Sequence, residues 1–142
     1  MIAREAAEEL QILAKNFKSV AVIGPRQSGK TTLCKAQFPD KKYISLENPD
    51  VRLFAKQDPR GFLDQFPEGG ILDEIQHIPE IFSYLQQILD ESETEGKFIL
   101  TGSNNFLLQE SITQSLAGRI GYLQLLPLTI KEKRKAELFT SE

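Results

Sequence analysis

Short runs of apolar residues alternate along the chain with longer segments in which apolar side chains recur every three or four positions. The short runs are rich in β-branched and large apolar residues, which is typical of strands buried in a parallel sheet. Strands are predicted at residues 19–23, 43–46, 71–73, 97–101 and 120–126. Helices are predicted at residues 2–17, 30–37, 50–56, 61–66, 78–89, 108–116 and 130–138.

The order of these elements predicts an α/β fold. Strands and helices alternate along the chain, and neighbouring parallel strands need a crossover connection, usually a helix. We therefore expect a five-stranded parallel sheet with helices on both faces. No internal repeat or long linker divides the sequence, so residues 1–142 are expected to form one domain.

Composition and charge exclude several classes of protein. Hydrophobic residues make up 40% of the chain, and the net charge of -3 argues against a mainly non-specific nucleic-acid binder. The single cysteine excludes an internal disulfide and suits a reducing compartment. The longest apolar stretch, residues 20–25, is far shorter than the ~20 residues that span a bilayer. We expect a cytoplasmic protein with no membrane partner.

The segment from Gly24 to Thr31 matches the pattern G-x-x-x-x-G-K-[ST] at every fixed position. A strand before the loop and a helix after it are the context in which backbone N–H groups and a helix N-terminus bind phosphate. Lys30 would reach the β- and γ-phosphates, and Thr31 would hold Mg²⁺. The predicted nucleotide-binding residues are Gly24, Pro25, Arg26, Gln27, Ser28, Gly29, Lys30, Thr31 and Thr32.

Further expectations concern Lys30 in this loop and Cys34 in the helix that follows it. Lys30 is expected in an exposed position where its partner is the ligand, so that replacing it would leave the fold intact. The alternative interpretation of the whole segment is a chance glycine-rich turn. Cys34, one turn into the following helix, is expected to be a small buried residue.

The third predicted strand ends in the carboxylate pair Asp73 and Glu74. Open α/β sheets bind ligands at the carboxyl ends of their strands. Asp73 would orient Mg²⁺ and Glu74 would activate the water that attacks the γ-phosphate. The alternative is a solvated strand end. Because the chain contains no Asn-Lys-x-Asp motif for guanine, the pair favours ATP hydrolysis.

Four motifs together resemble an AAA-type predicted ATPase family of bacteria and archaea, whose members usually continue into a C-terminal domain of unknown function. The resemblance covers residues 20–128 and implies a P-loop NTPase core with sheet order 5-1-4-3-2. The chain departs from the family in length, since it has neither a helical lid nor a C-terminal domain after the fifth predicted strand. We expect it to be the N-terminal part of a longer protein, the alternative being a short gene. The motifs are Gly24 to Thr31, Leu72-Asp73-Glu74-Ile75-Gln76, Thr101-Gly102-Ser103-Asn104 and Leu116-Ala117-Gly118-Arg119.

The resemblance also implies roles for three further residues. Ser103 or Asn104 would contact the γ-phosphate or the attacking water, although both residue types also favour a helix N-cap. Arg119 would offset charge on the transferring phosphoryl group, in cis or toward a neighbour. The alternative for Arg119 is an ordinary surface arginine.

Several functions remain open from the sequence. The main hypothesis is an ATPase that binds ATP, ADP and Mg²⁺ and contacts an unknown protein partner or a C-terminal domain. The alternatives are a nucleotide-dependent switch or scaffold and a phosphotransferase acting on a small acceptor.

Two other features are not assigned to the site. His77 has no metal-ligand partner at the usual spacing, so we expect it to lie in a loop or at the start of a helix. The basic run, Lys131, Lys133, Arg134 and Lys135, suits a solvated helix face better than a nucleic-acid patch.

Overall fold

Five parallel strands form one sheet in the computed structural model, which describes residues 2–25, 28–103, 106–116 and 118–125. The strands are β1 Ser19–Ile23, β2 Lys42–Ser45, β3 Gly70–Asp73, β4 Phe98–Gly102 and β5 Ile120–Gln124. Their order across the sheet is β2-β3-β4-β1-β5, with every pair parallel. This order, read from the other side, is the predicted 5-1-4-3-2, and the α/β fold class is confirmed.

Within the described part of the chain, six helices flank the sheet. They are α1 Ile2–Asn16, α2 Lys30–Gln37, α3 Pro49–Gln57, α4 Pro59–Asp64, α5 Phe82–Glu91 and α6 Phe106–Leu116. Two 3-10 turns, Ile75–His77 and Pro79–Ile81, connect β3 to α5. The helix predicted at 130–138, the basic run within it and the end of the predicted fifth strand lie outside the described residues.

The two faces of the sheet pack against different helices. Alternate residues of β1 point to opposite faces, as the pleat requires. Ala21 and Ile23 join the larger apolar cluster, which includes side chains of α3, α4, α5 and α6. Val20 and Val22 join the smaller cluster, which includes side chains of α1 and α2. Because β1 is buried on both faces, its sequence is a continuous apolar run instead of an alternating one.

Two Asn/Asp-Pro pairs start helices α3 and α4. The side chain of Asn48 accepts hydrogen bonds from the backbone N–H groups of Asp50 and Val51, and Pro49 occupies the first turn of α3. Asp58 caps α4 in the same way, through the N–H of Gly61. Proline is favoured there because the first N–H groups of a helix have no intrahelical acceptor.

None of the helices in the described residues could cross a membrane. None of them combines the length and the apolar character that crossing a bilayer requires.

The entry to β3 depends on a tight approach between two backbones. Gly69 has φ +83°, and a Cβ at this position would overlap the carbonyl oxygen of Lys97. Gly70 next to it donates its N–H to the same carbonyl, at 3.1 Å, where β3 begins to pair with β4. The approach therefore helps to set the register of the strand that ends in Asp73.

We predict that Gly69→Ala lowers the free energy of unfolding by about 3 kcal/mol or more, because it adds a backbone clash to an unfavourable φ. Gly118→Ala is the matched control. Gly118 has φ +79°, and a Cβ there would have no atom of the described residues within 4 Å, so only the strain of about 1 kcal/mol is expected. Urea denaturation of both variants measures the difference. Equal losses would show that the approach to Lys97 carries no constraint.

Candidate nucleotide-binding site

Three segments meet at the carboxyl edge of the sheet. The loop that begins at Gly24 follows β1, Asp73 and Glu74 come at the end of β3, and Ser103 follows β4. Since β3, β4 and β1 are neighbours, the topology brings these segments together. This is the edge at which open α/β sheets bind ligands.

Two glycines shape the loop before α2. Gly24 donates its N–H to the carbonyl of Gly102 at 3.0 Å, and a Cβ on Gly24 would lie 2.9 Å from the Ser28 Oγ. Gly29 has φ +81° and stands at the N-cap of α2, a conformation that glycine adopts without a steric penalty. Arg26 and Gln27, both predicted to bind nucleotide, lie outside the described residues.

Lys30 and Glu74 form a buried ion pair. The Lys30 Nζ lies 3.0 Å from the Glu74 Oε1, and each side chain is 6% exposed. The expectation of an exposed Lys30 is therefore wrong, because the first turn of α2 packs against the end of β3. Removing one member of a buried pair leaves an uncompensated charge, at a cost of about 3–5 kcal/mol. Lys30→Ala alone would perturb the fold as well as the site.

Asp73 accepts hydrogen bonds from three hydroxyl groups. The Thr31 Oγ1 donates to Asp73 Oδ1 at 2.8 Å, and the Tyr43 hydroxyl donates to Oδ2 at 2.7 Å. The Thr101 Oγ1 also donates to Oδ1. The carboxylate is 6% exposed, so these donors offset much of the cost of burying it. The predicted Mg²⁺ residues Thr31 and Asp73 are thus in direct contact.

The surroundings of Asp73 raise two pKa values. Burial, together with the hydrogen bond to Asp73, raises the pKa of Tyr43 above its ordinary value, so its hydroxyl stays a donor at neutral pH. Burial raises the pKa of the Cys34 thiol to about 12, and the charge of Asp73 adds to the effect. Cys34 is buried, as expected, and its thiol is protonated and unreactive at neutral pH.

Glu74 adopts a left-handed backbone conformation, with φ 60° and ψ 53°. Among the described residues it is the only non-glycine residue with positive φ. The conformation costs on the order of 1 kcal/mol and persists where neighbours enforce it, often at functional sites. Here the backbone N–H of Glu74 donates to the Thr101 Oγ1 at 2.9 Å. Thr101 therefore contacts both carboxylate residues.

Ser103 reaches Glu74 through Gln76. The backbone N–H of Ser103 donates to the Gln76 Oε1 at 3.3 Å, and the Gln76 Nε2 donates to the Ser103 Oγ at 3.2 Å. The same Nε2 donates to the Glu74 Oε2 at 2.8 Å. Asn104, which is predicted to contact the γ-phosphate or the attacking water or to cap a helix, lies outside the described residues.

Arg119 lies at the opposite edge of the sheet. Its carbonyl accepts a hydrogen bond from the N–H of Ser19, the first residue of β1, whereas the phosphate loop follows the last. Five strand residues separate these edges by about 15 Å. Arg119 therefore cannot contact a phosphate held by the loop of its own chain. The option of a contact toward a neighbour stays a prediction.

The Arg119 guanidinium pairs with Asp90 at the end of α5. This hydrogen-bonded pair lowers the pKa of Asp90 and raises that of Arg119. The two residues line an open hollow of about 490 Å³ together with Lys18. The hollow is larger than the one beside the loop. It does not suit the nucleotide phosphates, because the Arg119 guanidinium is already paired with Asp90 and the phosphate loop does not line the hollow.

The residues beside the loop fit a phosphate group and a magnesium ion. Among the described residues, the buried Ser28 Oγ has no hydrogen-bond partner, and no side chain caps the N-terminus of α2. Both features leave donors for an anion. Gly29, Lys30, Thr31 and Thr32 line a hollow of about 210 Å³. The adjacent hydroxyl and carboxylate oxygens of Thr31 and Asp73 are the hard ligands that Mg²⁺ prefers.

The structure also brings Glu47 and His77 toward Glu74, with one potential ligand atom of each within 4.8 Å of the others. The expectation that His77 has no metal-ligand partner considered only residues nearby in sequence. However, Glu74 is already bonded to Lys30 and Gln76, and the His77 Nδ1 lies 3.4 Å from the Arg52 guanidinium. These contacts account for the Glu74 and His77 side chains without a metal ion.

Three contacting residues were missed as members of the site, namely Tyr43, Thr101 and Gln76. Tyr43 was read only as a strand residue, and its direction toward Asp73 depends on β2 lying next to β3. Thr101 belongs to the third family motif, which runs from Thr101 to Asn104, and its place at the end of a buried strand was an available signal. Gln76 was noted only as part of a family motif.

Curated relatives are found in mycobacteria. The chain is 31% identical over 131 residues to the uncharacterized proteins Mb2031c of Mycobacterium bovis and Rv2008c of Mycobacterium tuberculosis. The match covers 91% of this chain and 30% of each relative. The chain thus spans about a third of the length of these relatives.

Solved structures with the same fold are P-loop proteins. The P-loop NTPase domain of the sigma-54 transport activator from E. coli matches 89% of this chain and 95% of its own, with 19% identity and a TM-score of 0.57. The Walker-type ATPase PABY2304 of Pyrococcus abyssi matches 96% of this chain and 58% of its own, with 18% identity and a TM-score of 0.56. At such identities the likeness shows the fold alone.

The family assignment rests on most of the chain. The match to the family described as an AAA domain extends over residues 16–133, from just before β1 to beyond β5. It includes the phosphate loop, the carboxylate pair and the Ser103 segment. Together with the P-loop fold and the site geometry, this match places the chain in the AAA domain family AAA_14.

Proposed function

We propose that this domain binds ATP with Mg²⁺ and hydrolyses it. The observation that carries the proposal is the contact between Lys30 and Glu74, 3.0 Å apart at the carboxyl edge of the sheet. A cation that binds the γ-phosphate and a carboxylate that activates water must both lie beside the same phosphorus atom. A lysine and a glutamate that meet at the end of a phosphate loop satisfy that requirement.

The triphosphate would lie along the loop and the first turn of α2. The N–H groups of residues 30–32, in the first turn of α2, have no intrahelical acceptor, and the helix dipole favours negative charge at this end. The Ser28 hydroxyl would gain a partner there. The Lys30 ammonium would exchange Glu74 for β- and γ-phosphate oxygens, which carry more negative charge than one carboxylate.

Thr31 and Asp73 would hold the magnesium ion, whose charge would help to neutralise the phosphates. The three hydroxyl donors keep the Asp73 carboxylate in one orientation, so this carboxylate need not reorient for binding. Thr31 would turn its hydroxyl hydrogen away from Asp73 and offer an oxygen lone pair.

Glu74 would act on the attacking water. Once Lys30 interacts with phosphate, the Glu74 Oε1 is available to accept a proton from water, while Oε2 keeps its bond to Gln76. The left-handed backbone at Glu74 turns the chain sharply after β3 and is held by Thr101. A general base of this kind contributes about 10²–10⁴-fold to a rate.

The same ion pair supports a second candidate function, a nucleotide-dependent switch with little turnover. If Lys30 exchanges Glu74 for phosphate, binding alone changes the contacts at the end of β3. That change could signal to a partner without hydrolysis. Phosphate release from ATP distinguishes the two functions, since a switch would bind ATP and release almost none.

We predict that Glu74→Gln lowers the rate of ATP hydrolysis about 10²-fold or more, because it removes the general base. ATP affinity should stay unchanged or rise slightly, because the substitution keeps the size of the side chain. Glu47→Gln is the matched control, since Glu47 is a nearby but exposed carboxylate. It should hydrolyse ATP at the wild-type rate. Phosphate release and nucleotide titration measure both quantities. Equal turnover by Glu74→Gln and wild type would contradict the assignment.

Arg119 is proposed to act on the nucleotide of a neighbouring copy. Its distance from the loop of its own chain leaves only this route to a transferring phosphoryl group. A guanidinium supplied in trans can stabilise the charge that develops in the transition state.

The prediction for Arg119 concerns mixtures of variants. Arg119→Ala and Glu74→Gln should each be slow alone, and their mixture should exceed the sum of the two rates, because each lends the other its intact residue. Asp90→Asn is the control, since it breaks the ion pair but keeps the guanidinium, and its rate should stay at the wild-type value. A mixture no faster than the sum of its parts would contradict action in trans.

A further inference from the structure

The Gln76 side chain contacts both the Glu74 carboxylate and the segment after β4. It lies in the 3-10 turn Ile75–His77, directly after Glu74 and Ile75. Ile75 and Ile78, on either side, are fully buried, so the backbone of the turn is anchored in the core. The backbone position of Gln76 is therefore set by packing.

The hydrogen bonds determine how the amide is oriented. The Ser103 backbone N–H can only donate, so the Gln76 atom that faces it must be Oε1, at 3.3 Å. The Nε2 then faces Glu74 Oε2 at 2.8 Å and the Ser103 Oγ at 3.2 Å. A reversed amide would place two acceptors against each other at Glu74. The network thus permits one orientation.

The end of β4 leaves space for this arrangement. A Cβ on Gly102 would lie 3.1 Å from the Gln76 Oε1, so a larger residue there would press on the amide. Gly102 also accepts a hydrogen bond from the N–H of Gly24, the first residue of the phosphate loop. The Gln76 amide therefore lies between the phosphate loop, the Ser103 segment and Glu74.

Glu74 depends on Gln76 most when a phosphate is bound. Its two carboxylate oxygens have Lys30 and Gln76 as partners. A γ-phosphate would compete for the ammonium of Lys30. Among the described side chains, Gln76 would then be the donor that still holds the Glu74 carboxylate in place.

We propose that Gln76 is a positioning residue that orients the Glu74 carboxylate toward the attacking water and couples this orientation to Ser103. The inference rests on the proposed ATP hydrolysis. A movement of Ser103 toward a γ-phosphate would be transmitted through two hydrogen bonds of one amide to the general base. Gln76 itself contacts neither phosphate nor water in this role.

The kinetic test compares Gln76→Leu with Gln114→Leu. Gln114 is exposed on α6, where its amide lies 3.3 Å from Glu110. Gln76→Leu should lower kcat about 10-fold or more with KM within about twofold, because a misplaced base affects the transition state more than binding. Gln114→Leu should change neither. In a Glu74→Gln background, Gln76→Leu should have less than about a twofold effect, because the group it positions is gone.

A second measurement needs no turnover. Urea unfolding of Gln76→Leu, Glu74→Gln and the double variant gives a double-mutant cycle for the contact itself. The unfolding constant of the double variant should differ from the product of the single effects by about fivefold or more. Should Gln76→Leu fail to fold, Gln76→Glu replaces it, since it keeps the size but cannot donate to Glu74 when ionised.

The outcomes separate the inference from the proposed function. If wild type releases no phosphate from ATP, hydrolysis is the wrong function and the inference falls with it. If wild type hydrolyses ATP but Gln76→Leu has the wild-type kcat, the inference is overturned and the proposed function stands. Independent effects of Gln76 and Glu74 in the unfolding cycle, or in kcat, would also overturn it.

Discussion

The buried ion pair between Lys30 and Glu74 is the interaction on which the rest of the site depends. Two charges that are each 6% exposed lose much of their hydration, and their attraction over 3.0 Å offsets that cost only in a well-ordered geometry. The order comes from α2, which starts at Lys30, and from the end of β3, where Thr101 and Gln76 hold Glu74. A phosphate ligand would enter by taking over one partner of this pair.

The fold could be predicted almost completely from the sequence, because its elements are encoded by local pattern. The five apolar runs, the loop after β1 and the carboxylates after β3 lie where they were expected, and the sheet order follows the family resemblance. The Asn48-Pro49 and Asp58-Pro59 pairs are further local signals, since an Asn or Asp cap followed by proline starts α3 and α4.

The contacts within the site could not be predicted, because they join residues that are far apart in the sequence. Asp73 is bonded to Thr31, Tyr43 and Thr101, which come from α2, β2 and β4. No local pattern indicates that Lys30 is buried or that Glu74 has a left-handed backbone. Arg119 shows the reverse case, since a motif implied a role whereas the parallel register places it at the far edge.

The central claim is that the Lys30 ammonium binds a nucleotide phosphate, and calorimetric titration with Mg²⁺ and ATP tests it most directly. The comparison is between Glu74→Gln and the double variant Lys30→Met with Glu74→Gln, because both lack the Glu74 carboxylate and they differ only in the Lys30 ammonium. We expect Glu74→Gln to bind at least as tightly as wild type, and the double variant to bind about 10²-fold more weakly, as the loss of a charged phosphate contact implies. Equal affinities of the two variants, both folded by circular dichroism, would contradict the account.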